Sequence, residues 1–133
     1  SENGGFAPAG VKPWLPVHPD YKTVNAKAET ANPNGVYAFY KEMIRLRTES
    51  EYAKTILEGK FAPILKQYDK LIAYTREGEK KLAVICSLSD KTRKIKLPFG
   101  VKNLVLSSLD SYKLEGDVLT LKPYQSVTLE MEA

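Results

Sequence analysis

The stretch that most constrains this chain runs from Asn32 to Glu49, Asn-Pro-Asn-Gly-Val-Tyr-Ala-Phe-Tyr-Lys-Glu-Met-Ile-Arg-Leu-Arg-Thr-Glu. Its periodicity predicts one amphipathic helix of about four to five turns. Asn32 suits an N-cap, and Pro33 would take the first helical position, where no N–H is needed. At about 100° per residue, Val36, Tyr37, Phe39, Tyr40, Met43, Ile44 and Leu46 spread over roughly half the circumference. Ala38, Lys41, Glu42, Arg45, Thr48 and Glu49 take the other half. A helix against a single neighbour needs a narrower stripe, so this one is expected to have a partner on each shoulder. Arg47 falls inside the apolar arc. It reads either as a snorkelling side chain or as a guanidinium paired at a buried seam.

After Gly59 the period changes from 3.6 to 2, and turn signals recur about every ten residues, as in an all-β unit. The expected strands are Lys60–Gln67, Lys70–Arg76, Lys81–Leu88, Arg93–Leu97, Asn103–Ser107, Asp117–Leu121 and Gln125–Glu132, with a short one at Tyr112–Leu114. Pro63 places the first at an edge. Glu77-Gly78-Glu79 reads as a hairpin turn. Between helix and strands, Ser50 is placed to cap a short turn through Glu51–Leu57. Most strands alternate, but Leu82, Ala83, Val84, Ile85 and Cys86 are all apolar, the pattern of a strand covered on both sides. In a two-sheet sandwich the second sheet covers one side. The Asn32–Glu49 helix is expected to cover the other. The fold class that follows is mainly β: an antiparallel two-sheet β-sandwich of Greek-key type, preceded by an irregular arm and one long amphipathic helix.

The arm is residues 1–31. Pro8, Pro13, Pro16 and Pro19 recur too closely for a helix or a central strand. Yet Phe6, Val11, Trp14, Leu15, Val17 and Tyr21 are too apolar for a free tail. An ordered loop wrapped over a neighbouring element fits both facts. The chain opens on Ser1 with no Met and no signal-peptide pattern, so it is expected to be a piece of something longer.

Chemistry is sparse. Of 133 residues one is His and one is Cys, so the usual nucleophile–base dyads and clustered metal sites cannot be assembled. His18, in Pro-Val-His-Pro-Asp, reads as a surface or hydrogen-bonding residue. Cys86 reads as a buried thiol. There is no Gly-rich phosphate loop and no Gly-x-Ser-x-Gly elbow. Glu77, Glu79, Asp90, Asp110, Glu115 and Asp117 fall in turns, where carboxylates are solvated rather than opposed across a cleft. The net charge of +4 comes from lysines scattered among glutamates. No basic face interleaved with aromatics emerges, so nucleic acid is not an expected partner. Neither is a membrane, since no apolar run reaches spanning length. No cofactor is expected, and the cytoplasm is the expected compartment.

Several motifs carry a family resemblance. Gly5-Phe6, Lys12-Pro13-Trp14-Leu15-Pro16-Val17, Pro19-x-Tyr21, Asn25 and Asn32-Pro33-Asn34 lead into Tyr40-Lys41-x-x-Ile44-Arg45-Leu46-Arg47. Gly59-Lys60-Phe61, Ala73-Tyr74-Thr75-Arg76, the Leu82–Ser89 strand and Leu121-x-Pro123-Tyr124-Gln125 follow in register. Together they resemble the C-terminal part of an α-glucosidase of the α-amylase family, in the oligo-1,6-glucosidase, dextran glucosidase and trehalose-6-phosphate hydrolase branch. His18 stands where that family usually has Asn, and Gln125 where it usually has Glu.

The resemblance implies that residues 1–58 are the arm and last helix of a missing (β/α)₈ barrel, and 59–133 a C-terminal β-sandwich domain. The arm would be the end of the loop after the last barrel strand, on the face where barrel active sites lie. The nucleophile Asp, acid/base Glu and third Asp would lie on earlier barrel strands, outside this chain. The parent would cleave α-glucosidic bonds of oligosaccharides with retention. This piece would be inactive and structural, with no catalytic, substrate-binding or metal residue of its own. Val36, Tyr40, Met43, Ile44 and Arg47 are the expected domain-interface residues, and they predict an exposed apolar patch through which the chain could self-associate. The competing readings are a non-catalytic carbohydrate-binding module, with Tyr68, Tyr74, Tyr112, Tyr124 and Trp14 as its aromatics, and a protein-interaction domain.

Overall fold

A computed structural model of the chain describes residues 2–110 and 112–132. The chain divides into two compact units, Ser1–Ile44 and Arg45–Ala133.

In the first unit the backbone is organised by polar side chains. The Asn3 amide donates to the carbonyls of Pro8 at 3.0 Å and Val11 at 2.8 Å, closing the first loop. A 3₁₀ turn at Pro19–Lys22 is capped by His18, whose Nδ1 accepts from the Asp20 N–H at 3.3 Å. Helix α1 (Ala26–Ala31) is capped by Asn25, whose Oδ1 accepts from the Ala28 N–H at 2.9 Å. The arm is therefore not irregular throughout, because Asn25 starts a helix just where the prolines stop.

Helix α2 covers Val36–Thr48, shorter than the predicted Asn32–Glu49. Asn32 is not its N-cap. It ends α1, and its Oδ1 accepts from the Asn34 N–H at 3.0 Å. The cap comes instead from α1: Glu29 Oε1 accepts from the Tyr37 N–H at 2.9 Å. A carboxylate suits that end of the helix dipole. A Cβ at Gly35 would collide with this carboxylate, which explains a glycine there. The first intrahelical bond then runs from Phe39 N–H to the Gly35 carbonyl.

Among the described residues the second unit holds the end of α2, helix α3 (Ala53–Glu58) and eight strands: β1 (Lys60–Pro63), β2 (Leu71–Glu77), β3 (Lys81–Ser87), β4 (Arg93–Lys96), β5 (Val101–Ser107), β6 (Lys113–Glu115), β7 (Val118–Leu121) and β8 (Ser126–Met131). Ser50 does cap the turn into α3, accepting from the Tyr52 N–H at 3.1 Å. All strand pairs are antiparallel. One sheet has the order β1-β2-β3-β8-β5 and the other β4-β7-β6. β8, last in the chain, returns to lie between β3 and β5, a crossing connection of the Greek-key kind. β1 is an edge strand, as Pro63 requires.

Alternation fills the space between the sheets. Ala73, Ile85, Val127 and Leu129 from one sheet pack with Ile95, Leu97, Leu119 and Leu121 from the other strands, all buried. Tyr68 and Tyr112 pack against the same core. The non-alternating strand is explained differently from expectation. Ala83 and Ile85 face the core side, while Leu82, Val84 and Cys86 face outward. The group that reaches this outer face from the helical side is α3 and the turn before it. Tyr52 bonds to Glu130, the register partner of Leu82. Arg76, the other partner of Leu82, donates to the carbonyls of Ile56 at 2.8 Å and Leu57 at 3.1 Å. Thr55 Oγ1 accepts from the Lys80 N–H at 3.1 Å, pinning α3 to the β2–β3 turn. Leu82 is thereby buried, but Cys86, four residues along, is only half-buried. The expected buried thiol is thus corrected to a partly accessible one.

Candidate domain interface

The amphipathic pattern of α2 places its apolar residues without giving them a covering. Leu46 is the helix's only buried residue. Val36, at 68%, is exposed, as are Tyr37, Tyr40, Met43 and Ile44. Arg47 is exposed as well, and its guanidinium makes no hydrogen bond or ion pair among the described residues. Of the two expected readings, its exposure accords with a side chain that carries its charge into water rather than with one paired at a buried seam among the described residues. The structure puts Val36, Tyr40, Met43, Ile44 and Arg47 on one short helix and leaves all five open to contact.

The arm has the same character. Trp14 is 94% exposed and Phe6 84%. With Leu15, Val17 and His18 they line an open hollow of about 440 Å³. Pro13 and Pro16 keep that backbone out of helix and sheet, and it bends at Trp14 and Leu15. Large apolar groups exposed together make a patch of the kind that marks interaction sites.

The proposed sugar-stacking aromatics are not brought together. Tyr68 lies against the core and its hydroxyl accepts from the Lys96 N–H at 3.0 Å. Tyr112 is in the core margin, where burial pushes its phenol up. Tyr74 is on the outer face of the five-stranded sheet, with its ring centroid 5.2 Å from that of Phe61. Tyr124 sits exposed in the β7–β8 turn. No three or more His, Cys, Asp or Glu residues form a metal-holding group among the described residues. No helix among them is long and apolar enough to cross a membrane.

One cluster was not foreseen. Glu130 is 4% exposed on the outward side of β8. Its Oε2 accepts from the Tyr52 hydroxyl at 2.9 Å and the Asn103 amide at 3.0 Å, and its Oε1 from Lys102 Nζ at 3.0 Å. Lys80 Nζ lies 3.6 Å from Oε1 and 2.8 Å from Glu51. The Asn103 bond, then the Lys102 bond, outweigh burial and hold the carboxyl down at about 2. A Glu between Leu129 and Met131 reads in the sequence as a solvated outward residue. Only the tertiary approach of Tyr52, from 78 positions away, encloses it.

Residues 1–56 match the family described as "Alpha amylase, catalytic domain". The oligo-1,6-glucosidase of Parageobacillus thermoglucosidasius is 36% identical over 132 residues, covering 95% of this chain and 23% of that protein. The α-glucosidase of Schizosaccharomyces pombe is 33% identical, covering 98% of this chain and 23% of its own length. The crystal structure of Bacillus licheniformis trehalose-6-phosphate hydrolase superposes with a TM-score of 0.82 at 29% identity, covering 100% of this chain and 24% of that one. The chain thus spans about a quarter of the length of these relatives. The chain is similar along nearly all of its residues to α-glucosidases, and over residues 1–56 to the catalytic domain of the α-amylase family.

Proposed function

We propose that this chain is the C-terminal part of a retaining α-glucosidase that acts on α-linked gluco-oligosaccharides. Residues 1–58 complete the catalytic barrel, and residues 59–133 form the sandwich that braces it. One observation carries this reading. The match to the catalytic domain stops at residue 56, at the end of the helical segment and just before β1 begins at Lys60. The relatives' printed activities, oligo-1,6-glucosidase and α-glucosidase, supply the substrate class. The chain's own part is structural. Its exposed α2 face and arm are the surfaces that the rest of the barrel covers, with Val36, Tyr40, Met43, Ile44 and Arg47 as contacts. The linkage preference belongs to barrel loops outside this chain. A single cysteine fits a reducing compartment, so the cytoplasm is the proposed location.

The test is direct. The coding frame upstream of Ser1 should encode a barrel with its catalytic carboxylates. The longer polypeptide should hydrolyse a chromogenic α-glucoside, and the 133-residue chain alone should not. Turnover by the isolated chain, or an upstream frame encoding something else, overturns the proposal. Saturable binding of maltose or isomaltose by the isolated chain, read by Trp14 fluorescence, would favour the carbohydrate-binding reading instead.

A further inference from the structure

The chain contains two Asn-Gly steps, Asn3-Gly4 and Asn34-Gly35, and the structure holds them differently. A glycine after asparagine has no Cβ to shield its backbone nitrogen. That nitrogen can attack the side-chain amide before it, the route by which such steps lose ammonia. Asn3 is secured against this. Its amide donates to the carbonyls of Pro8 at 3.0 Å and Val11 at 2.8 Å, and both bonds must break before its Cγ can turn onto Gly4. Asn34 has no such restraint. It is exposed in the turn between α1 and α2, and its side-chain amide has no hydrogen-bond partner among the described residues. Only the Gly35 nitrogen is engaged, donating to the Asn32 carbonyl at 3.1 Å. Nor can a bulkier residue at Gly35 slow the reaction, because a Cβ there would collide with the Glu29 carboxylate that caps α2.

We propose that Asn34 is a site of spontaneous deamidation, an ageing modification that loosens the start of α2. The Gly35 nitrogen, once deprotonated, attacks Cγ of Asn34. The N–Cγ bond forms, the bond from Cγ to the amide nitrogen breaks, and that nitrogen takes a proton from water and leaves as ammonia. Water then opens the cyclic imide at either carbonyl, with no oxidant or reductant involved. Opening at the side-chain carbonyl leaves an aspartate. Opening at the backbone carbonyl leaves an isoaspartate, whose main chain runs through the former side chain and is longer by a carbon. The added carbon falls inside the turn that the Gly35–Asn32 bond closes. It displaces the Gly35 carbonyl, which accepts from the Phe39 N–H at 3.1 Å, and the Tyr37 N–H that Glu29 caps. Glu29 also guards the reaction. Its carboxylate and the Asn32 side chain lie over the buried Gly35, so the nitrogen is freed when the cap opens.

Ageing the 133-residue chain at mildly alkaline pH, followed by peptide mapping with detection of isoaspartate, tests this. In the folded chain Asn34 should react at least about fivefold faster than Asn3, which has one more bond to break. In denaturant the two should react at similar rates. Equal rates in the folded chain, or Asn3 reacting first, overturn the proposal. Glu29→Ala, which removes the cap, should speed the reaction at Asn34 about fivefold and leave Asn3 unchanged. No acceleration would contradict the guarding role of Glu29. In the aged chain, hydrogen exchange at Tyr37 and Phe39 should quicken in the isoaspartate fraction, and Asn34→Gln should abolish the change. Unaltered exchange in that fraction contradicts the loosening of α2.

Discussion

Residues 2–44 and residues 45–132 are built from similarly apolar sequence, yet they bury it in opposite ways. Every buried hydrophobic side chain lies in the second region, where Ile85, Ile95, Leu119, Leu121 and Leu129 are wholly enclosed. In the first, Gly35 is the only buried position among the described residues, while Phe6, Trp14, Leu15, Val24, Val36 and Tyr40 stand in water. The second region closes its own core between two sheets. The first has caps, turns and one amphipathic helix, but nothing opposite its apolar groups. Local hydrogen bonds can shape a backbone, but net stability comes from burial. The difference teaches that caps and turns can order a backbone without closing a core, and it is the pattern that the proposed interface with the rest of a barrel would produce.

That comparison can be broken from its stable side first. Leu129→Ala, in the sealed core, should cost about 2–5 kcal/mol in denaturant unfolding of the chain. A cost under about 1 kcal/mol would mean that the core is looser than its burial indicates. Next comes the Glu130 cluster. Glu130→Ala strands three donors on the outer face and should cost about 1–3 kcal/mol. The same group gives a pH signature. Its folded pKa of about 2 lies below the ordinary 4.5. Its contribution is therefore full above the ordinary value and is lost as pH falls through the folded one. Urea midpoints measured from pH 5 downward should drop for the parent more steeply than for Glu130→Gln, and parallel curves would remove the carboxylate from the account. Tyr52→Phe, which deletes one bond to that carboxylate, should cost about 1 kcal/mol. Smallest of all, Tyr40→Ala in the isolated chain should change stability by no more than about 0.5 kcal/mol, because the ring is already solvated. A loss above about 1 kcal/mol would show that α2 has a covering in the chain itself.

Much of the second region was legible in the sequence because alternation and turn chemistry are local. Ile95 and Leu97 announced their inward face, Pro63 its edge, and Gly78 its hairpin. What escaped depended on distant partners. The N-terminus of α2 was misplaced because its cap is the Glu29 carboxylate from the preceding helix, while Asn32 looked like a cap and serves the wrong helix. Helix α1 was hidden by the prolines before it, although Asn25 followed by Ala-Lys-Ala-Glu was a signal for it. The outward coverage of β3 was assigned to the long helix, but α3 makes the bonds there, through Tyr52 and the Ile56 and Leu57 carbonyls. Those contacts join positions 19 to 78 apart and leave no local periodicity. The exposed apolar face of α2 was legible for the opposite reason: such a face is visible in a sequence whether or not anything covers it.

Hydrogen exchange across Val36–Ile44 tests the central claim most directly, compared between the isolated chain and the longer polypeptide. The account expects these amides to exchange at least about a hundredfold more slowly in the longer polypeptide, where the helix face is covered. Equal protection in the two would contradict it, since the helix would then need no surface beyond this chain.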